Sequence, residues 1–187
     1  MKGIIVVISG PSGVGKGTIC KELIKKIDDA CLSVSVTTRP RTAKEVNGKD
    51  YWFVDRNEFQ RRIEKGMLLE YAEVFGNFYG TPKDKVDEAI EAGKVVLLEI
   101  DVQGGKQIKK LYPETVMIFI MPPTAKELAG RLRSRGRDDE ETAKRRLSEA
   151  ANEITAAKDF YPYMVVNDKL DAAVSEIIGI IETARKK

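Results

Sequence analysis

The sequence predicts an α/β protein in which helices cover both faces of a parallel β-sheet. Three continuous apolar runs, at residues 4–8, 95–100 and 116–121, have the length and composition of strands buried on both faces. Segments after these runs carry apolar residues spaced three and four positions apart, which is typical of helices with one buried face. Because strands and helices alternate along the chain, the strands are expected to run parallel.

Two shorter runs extend the predicted sheet, one at residues 164–166 and one around residues 33–36. The predicted helices cover residues 19–27, 102–111, 124–135, 143–157 and 174–181. The helix at 102–111 follows Asp101, a residue type that often caps a helix N-terminus.

Residues 39–82 interrupt this alternation. They contain four glycines, two prolines, the only tryptophan and many of the aromatic residues. Short strand-like pieces at residues 51–54 and 68–74 flank a helical segment at residues 56–65. We therefore predict a small α+β insertion that can move against the main sheet.

Composition limits the class of protein. The 187 residues suffice for one substantial core, and 42% apolar with 33% charged residues is typical of a globular protein with a highly charged surface. The net charge of +3 argues against a protein whose main function is to cover nucleic acid. The apolar run at residues 4–8 is too short for a signal-peptide core or a membrane span.

Cysteine and histidine usage narrows the chemistry. Cys20 and Cys31 form neither a CxxC pair nor a disulfide framework, which predicts a reducing, cytoplasmic setting. The absence of histidine excludes Ser-His-Asp triads, Cys-His nucleophiles and His-ligated zinc. Phosphoryl transfer remains open, because it depends mainly on positioning and on neutralising charge.

A glycine-rich segment, GPSGVGKGT at residues 10–18, joins the first apolar run to the first predicted helix. Strand, glycine-rich turn, lysine and helix in this order are typical of a phosphate-binding loop. Glycines let successive backbone N–H groups surround an anion, the helix N-terminus attracts it, and Lys16 supplies a mobile cation. Gly17 stands where the usual motif has the Mg²⁺-binding hydroxyl, so Thr18 is expected to contact a phosphate instead.

Six further segments follow this loop in order: VSVTTR at 34–39, EVNGKDY at 45–51, LEY at 69–71, GNFYGT at 76–81, EIDVQG at 99–104 and RLRSRG at 131–136. Together with the loop, this set resembles the guanylate kinase family of nucleoside monophosphate kinases nearly end to end. The resemblance implies the reaction ATP + GMP to ADP + GDP, with Mg²⁺ as cofactor. It implies ATP and GMP as small-molecule partners and neither a nucleic acid nor a membrane.

The resemblance also implies three parts of the chain. A P-loop core would comprise residues 1–34, 86–124 and 158–187, a GMP-binding subdomain residues 35–85, and a helical lid residues 125–157. Both a monomer and a homo-oligomer are compatible with it.

Guanine differs from adenine by its N1–H and 2-amino donors and its O6 acceptor. By resemblance, Glu70 accepts the two donors, with Asp101 beside the amino group and Ser35 and Thr81 at the remaining edge. Adenine would leave the Glu70 carboxylate without a donor, which is costly for a buried charge.

For the GMP phosphate, the family pattern offers Arg39, Tyr51 and Tyr79. The family usually writes Thr-Thr-Arg, any residue, Pro-Arg, whereas this chain is one residue shorter at this point. Arg41 is therefore the expected second phosphate-binding arginine.

The resemblance places ATP on the glycine-rich loop, with the adenine ring near Asn167. The expected ATP-binding residues are Gly10, Pro11, Ser12, Gly13, Val14, Gly15, Lys16, Gly17, Thr18 and Asn167. The expected catalytic residues are Lys16, Arg39, Arg131, Arg135 and Arg146. Residues 131–146 contain six arginines and form an arginine cluster. The three that are not expected to be catalytic are expected to be solvated or paired with nearby acidic residues: Arg133, Arg137 and Arg145.

Two expectations concern the segment around residue 101. Asp101 is a candidate to hold the Mg²⁺ ion through water, since α/β folds place ligand groups at strand ends. Gly104 and Gly105 open the next helix and are expected to admit a nucleotide close to the backbone.

Three alternatives stay open at this point. The Gly-Lys-Gly-Thr order also resembles adenylate kinases. Guanylate-kinase folds can serve as silent protein-interaction modules, although those usually have a decayed loop. An RNA-binding protein could use the arginine cluster, but no aromatic stacking surface lies next to it in the sequence.

Overall fold

The computed structural model describes residues 3–134 and 140–186. Its strands are β1 (Ile4–Ser9), β2 (Ala30–Leu32), β3 (Val36–Thr37), β4 (Trp52–Phe53), β5 (Leu68–Val74), β6 (Asn77–Pro82), β7 (Val95–Glu99), β8 (Val116–Met121) and β9 (Tyr163–Val166). Its helices are α1 (Lys16–Lys26), α2 (Arg56–Glu64), α3 (Lys83–Glu91), α4 (Val102–Leu111), α5 (Ala125–Ser134), α6 (Glu140–Lys158) and α7 (Leu170–Arg185).

The main sheet has five parallel strands in the order β2-β7-β1-β8-β9. Its centre consists of the three long apolar runs, so the prediction of buried parallel strands is confirmed. Ile8 of β1 pairs with Glu99 of β7, and Ser9 pairs with Phe119 of β8. The carboxyl ends of these strands therefore lie at one edge of the sheet, where open α/β sheets bind ligands.

Helices cover both faces of this sheet. On one face, Val6 and Ile8 pack with Leu23 of α1 and with Ile177 and Ile181 of α7. On the other face, the intervening residues of β1 pack with side chains from α3, α4 and β8. Alternate residues of a strand point to opposite faces, so an uninterrupted apolar run supplies both cores.

The predicted strand around residues 33–36 is wrong in its position. The edge strand of the main sheet is β2, and its pairing continues only as far as the Ser33 N–H, which donates to the Leu97 carbonyl at 3.0 Å. Val36 instead belongs to β3, in a second sheet. Short apolar segments fit either sheet, and only the available pairing partner decides between them.

The second sheet has four strands in the order β4-β3-β6-β5, with parallel β3–β4 pairing and antiparallel pairing elsewhere. Phe59 of α2 is buried and stacks on Phe78 of β6, with ring centroids 5.5 Å apart. This confirms the predicted α+β insertion. β6 and α3 were not predicted. β6 contains glycine, asparagine and proline, which are uncommon in strands, and it forms because Phe75 and Gly76 turn the chain back with positive φ angles of 50° and 76°.

None of the helices in the described ranges combines the length and the apolar content that a membrane span requires.

Candidate active site

The glycine-rich loop connects β1 to α1 at the carboxyl edge of the main sheet. Gly10, Gly13 and Gly15 have φ angles of 148°, 86° and 103°, which side chains with a Cβ rarely adopt. The loop is anchored by Val14, which is fully buried and whose N–H donates to the Pro11 carbonyl at 3.2 Å. The backbone thus curls around the N-terminus of α1, as anion binding requires.

Lys16 begins α1 and its ammonium group lies over this loop. Nζ donates to the Gly10 carbonyl at 2.6 Å and to the Pro11 carbonyl at 3.2 Å. The cation is therefore held among the loop's own backbone groups, where phosphates would meet it.

Two predicted site residues, Asn167 of the ATP site and the catalytic candidate Arg131, hold the loop by hydrogen bonds to its backbone. Asn167 Nδ2 donates to the Val14 carbonyl at 2.8 Å, and Arg131 donates to the same carbonyl at 3.3 Å and to the Asn167 carbonyl at 3.0 Å. Neither side chain lines the cleft in front of the loop. Thr18, the third residue of α1, is exposed and lies outside the cleft lining as well.

A cleft of about 570 Å³ separates the loop from the second sheet. On the loop side it is lined by Gly10, Ser12, Gly13, Gly15, Lys16 and Gly17. On the facing side it is lined by the predicted GMP-binding residues Ser35, Arg39, Tyr51, Glu70 and Tyr79, and Asp101 lines it as well. The fold therefore brings most of the predicted site residues, which are distant in sequence, around one volume.

Glu70 is a buried carboxylate facing this cleft. Only 3% of the surface of Glu70 is exposed, and the Thr81 hydroxyl donates to its Oε1 at 2.6 Å. Burial raises the pKa of Glu70 to about 7, against the opposing effect of the Thr81 hydrogen bond. Thr81 itself is fully buried and does not line the cleft, so it acts by orienting Glu70.

Asp101 lies at the start of α4 and caps that helix. Its Oδ1 accepts from the Gly104 N–H at 2.8 Å. Burial raises the pKa of Asp101, while hydrogen bonds from the backbone N–H groups of Gly104 and Gln103 act in the opposite direction. The bond to Gly104 uses only one carboxylate oxygen of Asp101. The residue also lines the cleft.

The two glycines of α4 admit protein groups, contrary to the expectation of close nucleotide approach. A Cβ on Gly104 would lie 2.3 Å from Glu70 Oε2, and a Cβ on Gly105 would lie 2.2 Å from the Tyr161 hydroxyl. That hydroxyl donates to Ser9 Oγ at 2.7 Å. The two glycines in the sequence indicated only that some group approaches the helix backbone closely. Tertiary packing decides which group this is.

Arg39 lines the cleft with its guanidinium fixed by a carboxylate that the sequence reading missed. Glu45 accepts from both terminal nitrogens of Arg39, at 2.5 and 3.1 Å, and also from the N–H and hydroxyl of Thr42. The Arg39 hydrogen bonds lower the pKa of Glu45 to about 2. Glu45 is the first residue of the EVNGKDY segment. Its place in that segment, six residues after Arg39, was a signal from which this ion pair could have been predicted.

Aromatic rings surround this arginine. The guanidinium carbon of Arg39 lies 5.4 Å from the centroid of the Tyr51 ring, which contacts the Tyr79 ring edge to face at 5.9 Å. Burial raises the pKa of Tyr51 to about 12, so its hydroxyl stays a neutral donor. Arg41, two residues on, is exposed and does not line the cleft.

Arg146 of α6 lines the cleft although it is distant in sequence from the glycine-rich loop. Its guanidinium carbon lies 5.1 Å from the centroid of the Phe75 ring, at the turn between β5 and β6. Arg135 lies outside the described residues, so its predicted role stays a prediction.

Two further carboxylates line the cleft without having been predicted. Glu99 ends β7, and Glu153 lies two helical turns after Arg146 on the same face of α6. Burial raises the pKa of Glu153 to about 7. The seven-residue spacing from Arg146 was a readable signal for Glu153.

A divalent cation fits this site only together with a ligand that brings its own oxygens. In the described ranges, no three His, Cys, Asp or Glu side chains cluster into a metal centre. Glu99 and Asp101 are the carboxylates at the strand ends beside the loop. Such a sparse donor set suits Mg²⁺, which keeps several waters and binds through one or two carboxylates and phosphate oxygens.

Comparison with known proteins identifies relatives over the whole chain. The guanylate kinase family model matches residues 2–184. A guanylate kinase from Clostridioides difficile (strain 630) is 48% identical over 186 residues, covering 100% of this chain and 90% of the relative. One from Syntrophomonas wolfei is 49% identical, covering 100% and 95%. The crystal structure of guanylate kinase from Anaplasma phagocytophilum superposes with a TM-score of 0.83 at 38% identity, covering 100% and 88%.

Proposed function

Since this chain belongs to the guanylate kinase family, we propose that it transfers the γ-phosphoryl group of ATP to GMP, giving ADP and GDP. The observation that carries the proposal is the single cleft in which a glycine-lined loop with Lys16 faces the buried Glu70. One side is suited to a triphosphate, and the other to a base with adjacent hydrogen-bond donors.

Guanine selection is proposed to depend on Glu70. Its ionised carboxylate would accept from N1–H and from the 2-amino group, and Thr81 holds it in place. Adenine has no donor at N1, so AMP would leave a buried charge unpaired, which costs several kcal/mol. Ser35 and Asp101 also line the cleft and are proposed to complete the base site.

The GMP phosphate is proposed to lie against Arg39 and the hydroxyls of Tyr51 and Tyr79. A guanidinium held by Glu45 is already oriented before a ligand arrives, which reduces the entropy lost on binding. Arg41 is proposed to join this group only if its exposed segment closes onto the phosphate.

The chain's own residues would neutralise the transferring group rather than move protons. Lys16, Arg39 and Arg146 all line the cleft and would share the charge of a loose transition state. Arg131 would act through the loop that it supports, and Arg135 remains proposed from the family pattern. No general base is needed, because the attacking phosphate oxygen is already ionised.

Mg²⁺ bound with ATP would neutralise negative charge on the phosphates, and Glu99 and Asp101 are the residues that would hold it, through water. We also propose that residues 35–85 and 125–157 move as a GMP-binding subdomain and a lid against the core formed by the rest. Closure would exclude water and bring the two phosphates in line. Both cysteines are free, which suits a reducing cytoplasm.

A nucleotide panel tests the proposed function. Initial rates with Mg²⁺-ATP should be highest with GMP and lower by orders of magnitude with AMP, dTMP and UMP. Preference for AMP would favour the adenylate kinase alternative, and failure to bind millimolar ATP would favour a protein-interaction module.

Lys16→Met tests the loop. Because the variant removes the cation beside the phosphates, kcat should fall by about 10³-fold, by analogy with other charge-neutralising groups of phosphoryl transfer. Lys25→Met, on the exposed part of the same helix, is the matched control and should keep wild-type turnover. Near-normal turnover in Lys16→Met would contradict the scheme.

A further inference from the structure

Helix α4 contacts two successive residues of β5. The Gln107 amide donates from Nε2 to the Tyr71 carbonyl at 2.8 Å, and its Oε1 accepts from the Tyr71 N–H at 3.4 Å. One turn earlier, Gly104 leaves the space in which the Glu70 carboxylate lies. Gly104 and Gln107 are three residues apart, so they share one face of the helix. This face therefore meets both the side chain and the adjoining backbone of the proposed guanine site.

The Gln107 amide takes the place of a neighbouring strand. β5 is an edge strand of the second sheet, and in an antiparallel pair every second residue turns its N–H and C=O away from the partner. Tyr71 is such a residue. A primary amide offers one acceptor and two donors, so one side chain can satisfy both backbone groups. The edge of β5 is thereby held to a helix of the main sheet.

Gly104 and Gln107 contribute differently to the position of Glu70. Gly104 permits the carboxylate to approach but has no side chain with which to hold it. Gln107 holds the neighbouring residue by both of its polar backbone groups. Because successive side chains of a strand alternate between faces, a slip of β5 by one residue would turn Glu70 out of the cleft.

We infer that Gln107 is a positioning residue for guanine selection, acting through the Tyr71 backbone on the location of the Glu70 carboxylate. The inference rests on the proposed function. Gln107 itself does not line the cleft, so its effect is indirect. Displacement by about 1 Å can cost up to 10²-fold in rate, and a partial loss of this tether should cost less.

Gln107→Met tests the inference in the full chain. Methionine matches glutamine in length and helix propensity but makes neither hydrogen bond. The measured quantities are kcat/KM for GMP, kcat/KM for inosine 5′-monophosphate, which lacks the 2-amino group, and KM for ATP. We expect kcat/KM for GMP to fall about fivefold to tenfold, a loss matching that of about one hydrogen bond. The value for inosine monophosphate, which offers Glu70 only its N1–H, should fall by a clearly smaller factor, and KM for ATP should not change.

Gln103→Met is the matched control. Gln103 is one turn earlier on α4 and is exposed, so this variant should keep the wild-type ratio of the two kcat/KM values. Gln107→Ala provides a second variant should the methionine side chain disturb folding, and thermal unfolding of all variants identifies such a disturbance.

The outcomes separate the two hypotheses. A wild-type chain that does not phosphorylate GMP contradicts the proposed function and the inference together. A wild-type chain that does so, with Gln107 variants that keep its ratio, contradicts the inference alone. Equal losses for GMP and inosine monophosphate also contradict it, because they indicate a general structural defect.

Discussion

At the scale of single residues, the cleft depends on ionisable groups whose surroundings are set by distant parts of the chain. Glu70 is buried with one hydroxyl donor, from Thr81, whereas Glu45 is bound by the Arg39 guanidinium and by Thr42. The same residue type therefore has a pKa of about 7 in one place and about 2 in the other. Burial disfavours the charged form of Glu70, and charged hydrogen bonds favour the charged form of Glu45.

Glu70→Gln should stabilise the protein in a pH-dependent manner. The pKa of Glu70 rises from 4.5 to about 7 on folding, so the folded state holds its proton more tightly than the unfolded state. Its favourable contribution is complete below pH 4.5 and is lost as the pH rises through 7, by about 3 kcal/mol. The free energy of unfolding of Glu70→Gln, from urea denaturation, should therefore exceed that of the wild type at pH 8 and approach it near pH 4.5.

Kinetics provide the complementary measurement. The variant should lose about 10²-fold in kcat/KM for GMP, because an amide cannot accept two donors as a carboxylate does. The titration of Glu153 is common to both proteins and cancels in the comparison. Parallel pH profiles of stability for the two proteins would contradict the assigned pKa.

At the scale of elements, α4 connects the main sheet to the second sheet. Asp101 caps its N-terminus. In its first turn, Gly104 leaves space for the Glu70 carboxylate and Gly105 leaves space for the Tyr161 hydroxyl. Glycines usually weaken a helix by about 1 kcal/mol each relative to alanine. Here they allow a strand and a side chain to approach the helix more closely than a Cβ would permit.

Gly104→Ala should impair GMP use although alanine favours helices. The new Cβ would lie 2.3 Å from Glu70 Oε2, so the carboxylate would have to leave the position in which the Thr81 hydroxyl holds it. We expect KM for GMP to rise about tenfold and stability to fall by about 1 kcal/mol, since crowding outweighs the gain in helix propensity.

Gly179→Ala on α7 is the matched control for this substitution. Apart from its chain neighbours and the backbone of its own helix, nothing lies within 4 Å of the new Cβ, so this variant should gain about 0.5–1 kcal/mol in stability and keep wild-type kinetics. Chemical denaturation and steady-state kinetics of both variants check the prediction. A wild-type KM for GMP in Gly104→Ala would show that Glu70 can relocate without loss.

At the scale of the whole molecule, the cleft is enclosed by parts of the chain that are far apart in sequence. Arg146 of α6 lies against the Phe75 ring at the tip of the β5–β6 turn. This contact joins the proposed lid to the proposed GMP-binding subdomain across the cleft. A cation over an aromatic ring contributes about 0.5–2 kcal/mol, depending on its exposure.

Phe75→Ala should lower kcat/KM for GMP while leaving the stability of the fold nearly unchanged. Phe75 is 36% exposed, so we expect less than about 1 kcal/mol of lost stability. Loss of the ring contact should lower kcat/KM for GMP about threefold to tenfold, because it removes one of the contacts that hold Arg146 at the cleft. Phe75→Tyr keeps the ring and should behave like the wild type. If both variants lose activity equally, the ring contact is not the cause.

The sequence by itself determined the features that depend on local pattern. Apolar runs predicted the central strands, apolar spacing predicted most helices, and the glycine-rich segment predicted the loop whose φ angles require glycine at Gly10, Gly13 and Gly15. The ordered segments predicted the family. These signals are readable because periodicity and backbone freedom are properties of neighbouring residues.

Only the tertiary structure decided which groups meet across the chain. It placed Val36 in the second sheet, formed β6 from weak strand residues, and filled the spaces at Gly104 and Gly105 with Glu70 and Tyr161. It also bound Arg131 and Asn167 to the Val14 carbonyl of the loop, and it added Glu45, Glu99 and Glu153 to the cleft lining. Pairing, burial and the resulting pKa values depend on contacts between distant residues, which no local pattern specifies.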